Sequence, residues 1–180
     1  IPKLIKDNIT TIVVDYIDFD GNQKQGEILC NRKVANELKS IFKEIFELKF
    51  PIYQIKPVSE FNNDDIESVK NNNSSCFNFR MVIGSNKLSD HSTGNAVDIN
   101  PIQNPWVHPI AHKIEGIVRE YNPDAKGTIT PEIVDIFKKY GWNWGGIWRN
   151  PDYQHFFKAD IELKNRVLGI KTSFVTKFKN

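Results

Sequence analysis

Cysteine is scarce in this sequence, with two residues, Cys30 and Cys76, among 180. Neither belongs to a CxxC pair or a Cys/His finger spacing, which argues against a thiolate metal site. The expectation is two buried free thiols, with a pairing between them left open by the sequence. Long apolar runs are also missing. The longest apolar stretches, such as 11–16, are strand-sized, against about 20 residues for a bilayer-spanning helix, so no integral membrane segment is expected. Charge of one sign is missing too: 24 Lys and Arg stand against 22 Asp and Glu, a net +2. With no basic stripe interleaved with aromatics, nucleic-acid binding is not indicated. The mildly basic stretch 164–179 reads as a solvated end, with weak attraction to an anionic polymer as the sharper alternative. Internal repeats and low-complexity segments are absent.

What is present is the composition of a globular chain, 39% hydrophobic and 26% charged. The length fits one domain over 1–180 with a real core. The chain starts at Ile1 and not Met, so the expectation is that an N-terminal segment has been removed, a signal peptide being one such segment. Residues 10–18 and 25–30, joined through Asp20-Gly21-Asn22, predict a β-hairpin. Asn31 is placed to cap a helix over about 33–49, where Val34, Leu38, Ile41, Phe42, Ile45 and Phe46 recur at helical spacing. Strands are predicted over 52–58, 77–83, 95–100 and 153–157, a short helix over 62–70, and loops over 71–75 and 84–94. Thr130 followed by Pro131 marks the start of a further helix that Gly141 can end. The mixture lacks a regular βαβ alternation and predicts an α+β fold with a mainly antiparallel central sheet and flanking helices.

Two segments carry chemistry. In the first, His91 lies in a turn containing Gly94, and Asp98 follows inside an apolar strand. Ala96, Asp98 and Asn100 share one strand face, while Val97 and Ile99 take the other. A carboxylate in such a strand is costly to bury unless it is paired or ligates a metal. In the second, a Gly/Trp-rich run at 141–148 precedes Asp152 and the aromatic strand holding His155. Two imidazoles and one carboxylate match a catalytic zinc, which keeps a position open for water. Asp152, set after Pro151 in an approach loop, is then a candidate general base, and Arg80 a source of positive charge for an oxyanion. Taken singly, each has a plainer reading: a hydrogen-bonded core histidine, a capping or salt-bridged Asp98, a turn aspartate, a salt-bridged arginine. His108 and His112 lie outside both segments and are read as non-ligands. The joint pattern shifts the balance.

That pattern resembles the D-alanyl-D-alanine carboxypeptidase family of zinc peptidases. The run Ser89-x-His91-x-x-Gly94-x-Ala96-x-Asp98 matches the family signature. Phe77-Asn78-Phe79-Arg80, Asp98-Ile99-Asn100-Pro101, Asn104-Pro105, Trp144–Trp148 and Asp152–Phe156 resemble the branch that includes L-alanyl-D-glutamate endopeptidases. With Asp18–Gly21 and Phe50-Pro51-Ile52, the resemblance covers about residues 10–158, leaving 159–180 as a C-terminal extension. It implies a Hedgehog/DD-peptidase fold, one Zn2+ per chain on His91, Asp98 and His155, Asp152 as base, Arg80 at the oxyanion, and substrate contacts at Ser89 and Trp148. It further implies hydrolysis of peptidoglycan stem peptides or muropeptides, and with that substrate a periplasmic or extracellular, wall-associated location; a monomer is the default expectation. The other reading is a zinc-containing wall-binding module without catalysis. Three departures stand out: Asp152 where many relatives carry Glu, Ile147 where many carry an acid, and Cys76 in place of a small residue.

Overall fold

The computed structural model describes residues 1–169. The chain runs α1 (Lys3–Lys6), β1 (Ile9–Ile17), β2 (Gln23–Asn31), α2 (Ala35–Glu47), β3 (Gln54–Ile55), α3 (Asp65–Lys70) and β4 (Asn73–Ser74). It continues through β5 (Ala96–Asp98), α4 (Ala111–Glu115), α5 (Pro131–Lys139), β6 (Asn143–Trp144), β7 (His155–Phe157) and α6 (Ile161–Val167). Short 310 turns cover Val58–Phe61, Asp90–Thr93 and Gly145–Ile147.

The mixed α+β class holds. The expected single central sheet does not: among the described residues there are three small sheets. β1 and β2 form an antiparallel hairpin in register from Ile9↔Asn31 to Ile17↔Gln23. Its alternation puts Ile12, Val14, Tyr16, Ile28 and Cys30 inside and leaves Val13 exposed. Onto that face α2 lays Leu38, Ile41, Phe42 and Ile45, one stripe at helical spacing. β3 and β4 pair in parallel, and the third sheet has the antiparallel order β5-β7-β6. Single bridges, Ile17↔Pro51 and Ser75↔Asp98, connect these pieces. α5 closes the core beneath the third sheet, with the Phe137 ring stacked 3.8 Å from that of Phe156.

Several sequence expectations give way here. The helix after β2 is capped at Val34 without a side-chain bond. Asn31 instead receives the Lys33 N–H and donates Nδ2–H to the Thr93 carbonyl. The strand expected over 52–58 shrinks to Gln54–Ile55, since Pro57 has no N–H to extend it. The polar stretch 71–75, read as a loop, contains buried β4. Asn73 can be buried because its amide satisfies Lys56 N, Lys56 O and Ser68 Oγ. The segment 77–83 is irregular, bound to the 89–92 turn through Asn78 N–His91 O and Ser89 N–Arg80 O. Of the basic C-terminal stretch, Lys164 is no solvated charge, because its Nζ lies 2.6 Å from Asp90 Oδ1. The remainder of that stretch, from residue 170, lies outside the described residues.

Candidate active site

The His91 turn is held from below by the hairpin. Gly94 takes φ +70°, and a Cβ there would strike the Cys30–Asn31 backbone. The bare glycine lets its carbonyl receive the Asn31 N–H at 2.9 Å. Ser89 starts the turn with its Oγ receiving the His91 N–H at 3.3 Å. Ser92 Oγ receives the Arg80 N–H at 2.8 Å and donates to the Arg80 carbonyl at 2.5 Å. The same turn thus sets both His91 and the backbone of Arg80.

β5 and β7 pair Asp98 directly with His155. His155 Nδ1 lies 3.0 Å from Asp98 Oδ1, His91 Nε2 lies 3.2 Å from Asp98 Oδ2, and the two ring nitrogens are 3.1 Å apart. All three residues are buried. His91 Nδ1 sits 2.6 Å from the Cys76 carbonyl oxygen. A carbonyl can only accept, so Nδ1 carries the proton and Nε2 turns its lone pair to the centre. The His91 lone pair and the Asp98 carboxylate then converge as acceptors, and His155 Nδ1 meets them either as an N–H donor to Asp98 Oδ1 or, with a cation bound, as a further lone pair. With zinc bonds of about 2.0–2.1 Å, tetrahedral ligand atoms lie about 3.3 Å apart. The observed separations, one imidazole against each Asp98 oxygen, are of that size, and two imidazoles with one carboxylate favour zinc over an all-oxygen cation.

Electrostatics tell the same story. Burial alone would raise the Asp98 carboxyl, but the two histidines more than offset this and hold it far below the carboxylate range. Burial opposes protonation of His91, yet the charge and hydrogen bond of Asp98 outweigh it and raise that imidazole. Protons here do what a bound cation would do.

Asp152 lies in the loop before β7, as its proline neighbour predicts, bridged to Trp106. Its carbonyl receives the His155 N–H at 3.2 Å. Burial pushes its carboxyl up to about 6, and the Asp98 charge adds to the rise, against the lowering influence of His155. Its Oδ1 is buried with no hydrogen-bond partner. Arg80 shows the complementary feature: Nη2 pairs with Asp65 Oδ2 at 3.1 Å while the buried Nε–H has no partner. Asp65 is itself oriented by Asn78 Nδ2 at 3.0 Å.

These groups line one cavity of about 200 Å³, bordered by Ser89, Trp106 and Trp148. Val82 and Ile83, roughly half exposed, form part of its wall. Every site residue expected from sequence therefore borders one space. His108 and His112 line a different cavity. Both cysteines are buried free thiols, and burial pushes Cys30 up to about 12 and Cys76 well above its ordinary range, so neither is a nucleophile.

Residues 83–158 match the family model described as D-alanyl-D-alanine carboxypeptidase. The match makes this segment similar to that peptidase family. It contains the three converging donors, Asp152 and Trp148, while Arg80 falls just outside it. Similarity to the D-alanyl-D-alanine carboxypeptidase family supports a hydrolase and agrees with the motif resemblance. No curated protein and no solved structure gives a match.

The sequence reading missed Asp65, Glu115, Arg119 and Gln154. Asp65 carries no local signal. Glu115 and Arg119 stand four apart, an ordinary spacing for an exposed pair, and only the fold shows that both are buried.

Proposed function

We propose that the protein is a zinc-dependent peptidase of peptidoglycan stem peptides, with one Zn2+ held by His91, Asp98 and His155. The observation that carries this reading is the convergence of three buried side chains, His91, Asp98 and His155, with nitrogen and carboxylate oxygen atoms 3.0–3.2 Å apart. When bound, zinc supplies a Lewis acid that polarises the scissile carbonyl and acidifies a water. Asp152, which borders the cavity and whose Oδ1 has no hydrogen-bond partner, takes the water proton and returns it to the leaving amine. The Arg80 Nε–H, buried and unpaired, donates to the oxygen on which negative charge develops. Its salt bridge to Asp65 fixes the guanidinium beforehand. Ser89 and Trp148 border the cavity where the peptide would lie.

A Hedgehog/DD-peptidase-like domain acting on the cell wall, periplasmic or outside the cell, completes the reading. It agrees with the absence, among the described residues, of any helix long and apolar enough to cross a membrane.

The test is mass spectrometry of defined muropeptides incubated with purified protein, with added zinc and after chelation. Zinc-dependent loss of a terminal D-Ala identifies a carboxypeptidase, and a cut after L-Ala an endopeptidase. Protein that holds zinc and releases no product from any muropeptide would instead be a wall-binding module.

A further inference from the structure

Arg119 follows α4 in a segment that is otherwise open to solvent, with Val118 79% exposed beside it. Its own side chain is only 2% exposed. The guanidinium makes two bonds to the Glu115 carboxylate, through Nε to Oε2 at 3.0 Å and through Nη2 to Oε1. Charge neutralisation needs nothing more. Yet Nη1 also donates to the Pro101 carbonyl and to Gln154 Oε1, the latter at 3.4 Å. Pro101 opens the turn that follows Asp98, and Gln154 immediately precedes His155. The backbones of these two segments already meet, Ile99 N–H donating to the Gln154 carbonyl at 3.1 Å. Glu115 and Gln154 also border the catalytic cavity.

We infer that Arg119 is a positioning residue for the metal-binding triad, its planar fork tying the turn after Asp98 to the residue before His155. The inference rests on the zinc-centre reading above. An ion pair serving stability alone would require only the Glu115 bonds. Here the one remaining nitrogen, Nη1, bonds to both of the segments that carry ligands. Guanidinium reaches several acceptors in a fixed plane, whereas an ammonium on a flexible stem cannot hold all of them at once.

The experiment compares wild type, Arg119→Gln, Arg119→Lys and Gln154→Ala for zinc affinity, by competition with a chromophoric chelator. The visible spectrum of each Co2+-loaded protein and the Tm of each chelated protein are recorded alongside. Loss of a group that orients ligands from outside the metal's own shell weakens metal binding by about 10–100-fold, and Arg119→Gln should fall in that range with an altered Co2+ spectrum. Arg119→Lys should recover Tm more fully than zinc affinity. Gln154→Ala, which leaves the ion pair in place, should keep its Tm and lose affinity several-fold. Wild-type zinc affinity and an unchanged Co2+ spectrum in Arg119→Gln would overturn the inference whatever its Tm. If that variant does not fold, the same result in Gln154→Ala and Arg119→Lys overturns it. A wild type that binds no zinc removes the metal centre itself, an outcome distinct from equal binding by wild type and variants.

Discussion

The β1–β2 hairpin with α2, and the β5-β7-β6 sheet, are both buried, but they reach burial by different routes. In the hairpin, nine residue pairs stand in antiparallel register, and the inward face is apolar. The site sheet has three-residue strands in β5 and β7, and buried Asn95, Asp98, Asn100, Asn104, Gln154 and His155 crowd around it. Apart from Asn95, whose Oδ1 has no partner, those polar groups are tolerable because side-chain bonds satisfy them. Asn100 alone serves Tyr53 N, Pro51 O and Gly127 O, and Asn104 Oδ1 receives the Ile129 N–H. One region stabilises by excluding water, at about 25 cal/mol for each Å² of apolar surface. The other spends part of that stability to hold converging acceptors in place. The two meet where Asn31, the last residue of the hairpin, binds Thr93 and Gly94 of the His91 turn.

The comparison breaks most sharply at the triad. His155→Ala should abolish tight zinc binding and hydrolysis together, while the hairpin keeps the protein folded. Zinc titration read by calorimetry, with Tm before and after, checks this. Wild type should gain Tm on zinc addition, as any ligand selective for the folded state requires, and the variant should not. Zinc binding by His155→Ala at wild-type strength would remove the residue from the ligand set. Next in size is Asp152→Ala, expected to lower kcat by about 10²–10⁴-fold, the range for loss of a general base, with zinc content unchanged. Full activity in that variant would strike out the base assignment.

How much of this could be read from residues alone differs between the same two regions. The hairpin and α2 were legible because period-2 and period-3.6 apolar patterns map directly onto regular elements. The start of α5 at Thr130-Pro131 was equally plain. The irregular half was legible only in its chemistry. His91, Asp98, His155, Asp152 and Arg80 stood out as residue types, yet the strand expected around Arg80 does not form. Its geometry comes from Ser92 and Asp65 and not from a ladder. β4 was hidden because its burial depends on the amide of Asn73, which looks like a loop residue until its partners are known. Glu115 and Arg119 were hidden for the same reason: pattern reveals apolar faces, while buried polar pairs are created by distant segments.

Leu38→Ala sharpens the comparison from the hairpin side. Leu38 is fully buried in the α2 stripe, and its truncation should destabilise by about 2–5 kcal/mol. Zinc affinity and kcat of the folded fraction should stay at wild-type values, since no residue of α2 borders the catalytic cavity. Urea denaturation together with zinc competition separates the two. A matching loss of zinc affinity would show that the regions are not energetically distinct.

The smallest expected effect lies inside the site, in protein stripped of metal. Asp152 has a folded-state carboxyl raised from 3.8 to about 6, chiefly by burial. Below pH 3.8 the carboxyl is protonated in both folded and unfolded chains and has no influence on stability. As pH rises from there to about 6, the unfolded chain releases the proton first, so the folded state loses relative stability across that window. Above it the loss is complete and constant. Asp152→Asn lacks the proton and escapes the penalty. The Tm of chelated Asp152→Asn minus that of chelated wild type should therefore be near zero at pH 3.5, grow through the window, and level off by pH 7. Added zinc should shrink the difference, because a cation at the triad favours the ionised carboxylate. A difference that stays flat with pH would mean that the Asp152 carboxyl is as well solvated as any surface group, and the cavity would then lack the unsatisfied acceptor on which its role as base depends.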